Sequence, residues 1–257
     1  MKRIELINQL EFLLRECFKN IDILRGPEHI KENDARVTFF KHIVNVINST
    51  FLFLIMSKKY LVKYDNSTND FLQNEDWWKD IQKEYDLSDR PFPFDRQLLY
   101  YDQVVTFSFL ILMFSSFESS ISLITKQYDA TLYQSQKDYG FNSLCKELMR
   151  KLKLLTKEND KFIGLIGLLR NSIHNNGAYM PLKSPKKPRE IKWNNTVFRF
   201  VEKELISPPQ LWPNLISFSK VICKIFTDII NSSEIKKIGY YHDPAELVVN
   251  NKEMNTI

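Results

Sequence analysis

The amino-acid sequence predicts an all-α protein, an antiparallel helical bundle that carries a small β-hairpin. Apolar residues recur at a spacing of three to four through most of the 257 residues, which is the spacing of amphipathic helices. Only 6 residues are glycine, too few for the many turns of a β-sandwich or barrel. The 19 Phe, 11 Tyr and 4 Trp side chains require a buried core, which excludes a disordered chain.

The first ninety residues predict two long helices followed by an acidic segment. Residues 4–24 and 34–61 each present one apolar face at helical spacing. Residues 64–74 are acidic and rich in Asn, which predicts an exposed loop. Two prolines within residues 89–95 mark the clearest break in the chain, because a helix interior excludes proline. We therefore expect residues 1–90 to form an N-terminal helical extension with an acidic loop.

Residues 91–231 predict the main helical domain, and residues 232–257 predict a weakly patterned C-terminal tail. Asn142 or Ser143 is expected to cap the second helix of this domain. Two alternating stretches flank Asn194-Asn195 after the third helix, which predicts a small β-hairpin inserted there. The predicted helices are residues 96–126, a helix carrying Leu144 to Leu155, a helix that begins at Thr156, and residues 211–230.

Cysteine and histidine spacing gives no sign of a metal or cofactor site. The histidines outside the motif described below lack the HxxxH or HxH spacing of metal ligands. No glycine-rich phosphate loop is present. We expect no bound metal, no cofactor and no disulfide framework, since the cysteines are odd in number and far apart in sequence: Cys17, Cys145 and Cys223.

The chain is expected to be soluble, cytoplasmic and free of membrane contact. Three glutamates interrupt the apolar pattern of the first 17 residues, so the uncharged core of a signal peptide is missing. The most apolar run, residues 104–114, is well short of the roughly 20 residues that span a bilayer.

The charge distribution favours a polyanionic partner. The net charge is +5, but residues 142–203 carry fourteen Lys and Arg against five acidic residues. Such a concentration indicates nucleic acid first, with a solvated basic face as the alternative. A basic, proline-containing loop and its flanks supply the expected RNA-binding residues, with Tyr179 or Trp193 as a stacking surface and a plain solvated loop as the alternative: Lys183, Lys186, Lys187 and Arg189.

One motif, Arg-Asn-Ser-Ile-His-Asn-Asn-Gly, contains the residues suited to catalysis. Arg170 and His174 are four residues apart, so a helix projects both from one face. Histidine transfers protons near neutral pH, and the arginine fork suits a phosphate, so the pair can cleave RNA without a metal. Asn171 and Asn175 can orient the phosphate or the imidazole. The alternative is helix termination, for which a cation followed by Asn and Gly is common.

Glu118 is the acidic residue expected near this motif. It lies in the middle of the long helix, within the serine-rich sequence Phe-Ser-Ser-Phe-Glu-Ser-Ser. We expect it to meet Arg170, either as a supporting group in the catalytic cleft or as its partner in a buried ion pair.

The motif, the long helix before it, the inserted hairpin and the last helix together resemble the HEPN superfamily (higher eukaryote and prokaryote nucleotide-binding domains) over roughly residues 95–231. The resemblance implies an all-helical fold and a metal-independent endoribonuclease of the kind found in toxin–antitoxin, abortive-infection and CRISPR systems. It implies catalytic roles for Arg170 and His174, and a homodimer in which two such pairs form one cleft. Family members commonly have four to six residues between Arg and His, whereas this chain has three.

The sequence therefore predicts an endoribonuclease that cleaves RNA through the 2′-hydroxyl and acts as a toxin or antiviral effector. An antitoxin or another protein of a defence system is a possible further partner. Two alternatives remain open. One is a catalytically inactive HEPN module that binds RNA, a nucleotide or a protein partner, and the other is a helical scaffold within a defence complex.

Overall fold

The structure is a computed structural model, and we describe the following parts of it: residues 3–56, 62–65, 70–73, 79–80, 83–84, 94–136, 139–173, 175, 178–180, 187–206 and 212–243. Most of these residues are helical, and the strands form two small antiparallel pairs. The prediction of a helical protein with a small hairpin is thus confirmed at this level of detail.

The long helices and the hairpin around Asn194-Asn195 follow the predicted order, whereas β1, β2 and the short helices α4 and α8 were not predicted. The helices are α1 (Arg3–Arg25), α2 (Ala35–Met56), α3 (Phe94–Tyr128), α4 (Ala130–Gln136), α5 (Phe141–Lys151), α6 (Lys157–Ile173), α7 (Trp212–Ile230) and α8 (Ser233–Lys236). The strands are β1 (Val62–Asp65), β2 (Asp70–Gln73), β3 (Arg189–Trp193) and β4 (Thr196–Phe200). Strand β1 pairs with β2 and β3 pairs with β4, both antiparallel.

The chain divides into two compact units. One unit comprises residues 45–109, and the other comprises residues 1–44 together with 110–257. Helices α2 and α3 each contribute one part to each unit. The domain boundaries expected after residues 90 and 231 stay predictions.

The unit formed by residues 45–109 contains a hairpin where an acidic loop was expected. Asp65 and Asp70 are cross-strand partners, and the pairing extends to Val62 opposite Gln73. The loop prediction, made for residues 64–74, is therefore wrong for residues 64–65 and 70–73. Aromatic and β-branched residues favour extended backbone, and this stretch contains Val62, Tyr64 and Phe71 beside its acidic and Asn residues.

An aromatic cluster lies at the centre of the other unit. Phe39 of α2 stacks on Phe226 of α7 with ring centroids 3.8 Å apart, and Phe117 of α3 lies 6.4 Å from Phe39. Phe114 and Phe117 both contact Phe141 at the start of α5. These rings bring α2, α3, α5 and α7 into one buried core, as expected for large aromatic side chains.

Helix α1 packs along α7 in the same unit. The Lys220 Nζ atom donates to the Gln9 Oε1 atom over 3.2 Å and lies 5.1 Å from the centroid of the Phe12 ring. A cavity of about 500 Å³ lies between the two helices, and Leu13 and Cys223 are among its lining residues. None of the predicted site residues lines this cavity.

The hairpin predicted around Asn194-Asn195 is confirmed. Trp193 and Thr196 are its last paired residues, and Asn194 has the left-handed φ of 49° that two-residue hairpin turns require. Trp193 packs on Phe162 of α6 with centroids 4.9 Å apart. The hairpin is thereby attached to the helix that carries Arg170.

A buried ion pair fastens the chain after α8 to the start of α2. Arg36 donates from Nε to Asp34 Oδ1 over 2.9 Å, and from Nη2 to Asp34 Oδ2 over 2.7 Å and to the Gly239 carbonyl over 3.1 Å. The Tyr241 backbone N–H donates to Asp34 as well. Part of the predicted C-terminal tail is therefore well packed, since Tyr241 is fully buried.

Among the residues that the structure describes, two helices are long and apolar enough to cross a membrane by length and composition alone. They are Ala35–Met56 and Val104–Tyr128, and 44% and 50% of their apolar windows are buried inside the protein. Core helices of soluble proteins pass the same test. The cytoplasmic location stays a prediction.

Candidate functional site

Helix α6 carries the motif, and a threonine caps its beginning. The Asn159 backbone N–H donates to Thr156 Oγ1 over 3.1 Å, so Thr156, at which the sequence predicts that the helix begins, is its N-cap. Glu158 and Asp160 lie in the first turn, where acidic side chains interact favourably with the helix dipole. These local interactions determine where α6 begins, and hence which turn holds Arg170.

A close contact with α5 fixes the turn of α6 just before Arg170. The side chain of Asn142 lies so near Gly167 that a Cβ atom there would come within 3.0 Å of it. Neither Asn142 nor Ser143 caps α5, and that prediction is wrong. The N-cap is Gly140, so no side chain caps this helix. Asn142 instead packs between the helices, and Ser143 donates to Gln136 Oε1 over 2.7 Å.

Among the described residues, the Arg170 guanidinium has only long or missing hydrogen bonds. The Nη2 atom lies 3.4 Å from Glu118 Oε2, and the Nη1 atom lies 3.4 Å from Asn171 Oδ1. The Nε atom is buried and has no hydrogen-bond partner. The guanidinium carbon lies 5.7 Å from the centroid of the Phe114 ring, within the range of a cation–π interaction.

Arg36 provides the comparison within the same chain. Its side chain is 4% exposed and its donors meet Asp34 at 2.7 and 2.9 Å, whereas the Arg170 side chain is 35% exposed and meets Glu118 at 3.4 Å. Arg36 thus forms a closed structural ion pair. Arg170 keeps donors available for a ligand, and a phosphate is the ligand that the planar arginine fork suits best.

Glu118 and Arg170 meet, as the sequence predicts, although they do not form the buried ion pair that was one of the two expectations. The Glu118 side chain is 32% exposed, so the pair lies at the protein surface. Phe114 belongs to the buried core and also lies under Arg170. The signal that identifies its second role is spacing, because Phe114 and Glu118 are four residues apart on one face of α3.

The residues after Arg170 end the helix. The Asn175 Nδ2 atom donates to the Asn171 carbonyl over 2.8 Å, which satisfies one of the carbonyls left open at a helix C-terminus. Both Asn side chains are exposed. His174 lies outside the described residues, and so do Lys183 and Lys186 of the expected RNA-binding set.

Lys187 and Arg189 are exposed where the chain enters β3. Several other basic residues of the region are neutralised by ion pairs. Lys146 meets Asp160 at 2.9 Å, Arg150 pairs with Glu147, and Lys151 pairs with Asp129. The hydrogen bond from Lys151 holds the pKa of Asp129 below its usual value. The positive charge available to a partner is therefore smaller than the sequence count suggests.

Tyr179 was expected to stack on an RNA base, but its side chain is buried. Its side chain is 4% exposed and packs edge-on against Phe200, with ring centroids 5.6 Å apart. Its backbone pairs with Lys203 and Glu204, which turns the ring into the core. Trp193, the other candidate, is buried against Phe162. Neither ring presents a face on which an RNA base can stack.

Within the part of the chain that the structure describes, no three side chains of His, Cys, Asp or Glu lie close enough together to hold a metal ion. Burial raises the pKa of the Cys145 thiol to about 12, so this thiol stays protonated at neutral pH. The polar side chains described around the end of α6 are those of Arg170, Glu118 and the two asparagines.

No protein-family model, no curated protein and no solved structure matches the chain.

Proposed function

We propose that this protein is a metal-independent endoribonuclease of the HEPN type that acts as a toxin or antiviral effector. The observation that carries the proposal is the open Arg170 guanidinium, with contacts of 3.4 Å and a buried Nε atom that has no partner. A guanidinium in this condition gains strong, charge-assisted hydrogen bonds when a phosphodiester binds. The proposal joins this geometry to the motif that places His174 one turn further along the sequence.

The proposed reaction needs only groups of the protein and of the RNA. The 2′-oxygen forms a bond to the adjacent phosphorus, and the bond from phosphorus to the 5′-oxygen of the next nucleotide breaks. His174 carries the proton from the 2′-hydroxyl to the departing 5′-oxygen. Arg170 stabilises the negative charge that grows on the phosphorus-bound oxygens. The products are a 2′,3′-cyclic phosphate and a 5′-hydroxyl end.

Neighbouring side chains have supporting roles in this proposal. Asn171 and Asn175 orient the phosphate from the end of α6, and Glu118 holds the Arg170 side chain before RNA binds. Lys183, Lys186, Lys187 and Arg189 would contact the RNA backbone. The same proposal includes a homodimer that places two motifs in one cleft. It also includes a cytoplasmic location and an antitoxin or another defence protein as a further partner.

The second candidate is a catalytically inactive HEPN module that binds RNA, a nucleotide or a protein partner. One observation favours it, namely that only three residues separate Arg170 from His174. On a helix, a gap one residue shorter turns the His by about 100° relative to the Arg. That rotation can keep phosphate binding by Arg170 while moving the imidazole away from the reacting oxygens.

Cleavage of total tRNA and of a long single-stranded RNA in EDTA tests the proposal. Wild type is compared with His174→Ala and Arg170→Ala, and the new ends are tested for a 2′,3′-cyclic phosphate. We expect cleavage by wild type, and losses of at least about 100-fold in both variants. A requirement for added divalent metal would reject the mechanism. RNA binding without cleavage, weakened by Arg170→Ala and not by His174→Ala, would establish the binding module instead.

A further inference from the structure

We propose that Glu118 is an internal competitor for the phosphate site, which RNA must displace from Arg170 before it binds. This inference rests on the proposed function, because it concerns the same site. It adds a regulatory role that the sequence motif does not contain. The contact between the two side chains joins residues 52 positions apart in the chain.

The contact is too weak to serve as a structural ion pair. Its single distance is 3.4 Å, and about a third of each side chain is exposed. Solvent screening makes an ion pair of this kind weak. The buried Asp34–Arg36 pair shows how this chain forms a permanent ion pair, with donors at 2.7 and 2.9 Å on both carboxylate oxygens.

Glu118 also lies where a phosphate would have to bind. A carboxylate and a phosphodiester both accept hydrogen bonds from the same guanidinium N–H groups. If both bound there at once, their negative charges would repel each other. The contacts of Arg170 with Glu118 and Asn171 involve only Nη2 and Nη1. A phosphate that takes the guanidinium fork therefore replaces the Glu118 carboxylate or pushes it aside.

The surroundings allow Glu118 to move. Arg170 is its one ion-pair partner among the described residues. Ser115 and Ser122 lie one helical turn to either side on α3, and both are at least partly exposed. Small hydroxyl side chains at these positions leave space and hydrogen-bond donors for a displaced carboxylate.

A binding experiment with RNA and DNA of the same sequence tests the competitor role. All proteins carry His174→Ala, so that RNA is not cleaved, and binding to labelled oligonucleotides is measured by fluorescence anisotropy in EDTA at low salt. Glu118→Gln removes the charge but keeps the shape. We expect it to tighten the binding of both oligonucleotides by about two- to fivefold, because the competitor involves the phosphate and not the ribose.

Two controls isolate the effect. Glu147→Gln removes the same charge from a comparably exposed glutamate that pairs with Arg150 on α5, and it should leave affinity nearly unchanged. In an Arg170→Ala background, Glu118→Gln should no longer tighten binding. A urea unfolding curve for each variant, including Glu118→Ala, shows whether the fold is kept.

The outcomes separate this inference from the proposed function. Weaker RNA binding with unchanged DNA binding would overturn the inference, because Glu118 would then contact the ribose. An equal gain from Glu147→Gln would overturn it too, because the effect would be long-range charge. RNA binding that is weakened by Arg170→Ala but unchanged by Glu118→Gln would reject the inference and leave the proposed function standing. Absence of RNA binding in every variant would reject both the inference and the proposed function.

Discussion

The side chain of Asn142 on α5 occupies the space that a Cβ atom of Gly167 on α6 would need. The absence of a side chain at Gly167 lets the two helices approach closely one turn before Arg170. The position of the catalytic candidate therefore depends on a glycine that takes no part in chemistry. The other glycine of α6, Gly164, has only the Lys146 Nζ atom near its Cβ position, at 3.9 Å.

These two glycines give a matched pair of substitutions. Gly167→Ala should destabilise the protein by about 1 to 3 kcal/mol, because overpacking forces Asn142 or the helix to shift. Gly164→Ala should be neutral or stabilising by up to about 1 kcal/mol, since alanine favours helix more than glycine. Urea unfolding midpoints measure both. Equal effects of the two substitutions would contradict the close contact.

Alanine substitution should cost much more stability at Arg36 than at Arg170. Arg36→Ala should cost about 3 to 5 kcal/mol of unfolding free energy, because it leaves the buried Asp34 carboxylate without its cation. Arg170→Ala should cost less than about 1 kcal/mol, since its ion pair is one-third exposed and long. Chemical denaturation measures the stabilities. A large loss of stability in Arg170→Ala would show that Arg170 has a structural role instead.

The burial of Tyr179 gives a prediction that separates stability from RNA binding. Tyr179→Leu removes the aromatic ring but keeps an apolar side chain, and it should leave RNA affinity unchanged, because the ring packs on Phe200 and offers no face to a base. Tyr179→Ala should reduce the free energy of unfolding by about 3 kcal/mol or more, through the cavity it leaves. Anisotropy titrations and thermal unfolding measure the two effects. A clear loss of RNA affinity in a folded Tyr179→Leu variant would show that the ring does stack on a base.

Lys187 and Arg189 should contribute to RNA affinity by binding phosphates. Reversing both charges should lower the salt dependence of single-stranded RNA binding, by about 0.7 in logarithmic slope for each phosphate that is no longer neutralised. Lys224→Glu on α7 is the control, because Lys224 already pairs with Asp228 at 2.6 Å. Titrations at several salt concentrations give the slopes. An unchanged slope in the Lys187 and Arg189 variant would remove this segment from the RNA path.

The hydroxyl of the N-cap residue Thr156 should stabilise α6. Thr156→Ala should cost about 1 kcal/mol, because the Asn159 backbone N–H loses its acceptor. Thr156→Ser should recover most of that loss, since serine provides the same hydroxyl oxygen. Thermal unfolding of the three proteins measures the series. If the serine variant is as unstable as the alanine variant, the methyl group of threonine and not its hydroxyl is what matters.

The sequence by itself determined the features that depend on neighbouring residues. Helix α6 begins after Thr156, and the β3–β4 hairpin turns at Asn194-Asn195, because capping and turn formation involve residues only a few positions apart. The same reasoning placed Arg170 in the last turn of its helix. The sequence also predicts that Glu118, in the serine-rich middle of α3, meets Arg170.

Only the tertiary structure decided how these elements use their side chains. Asn142 has the chemistry of a cap, yet it packs against Gly167, and Tyr179 has the chemistry of a base-stacking residue, yet it lies in the core. Both outcomes depend on residues that are distant in sequence, which local propensity does not report. The openness of Arg170, compared with the closed Arg36, likewise arises from the packing of α3 against α6, because burial and partner distance are properties of the assembled fold.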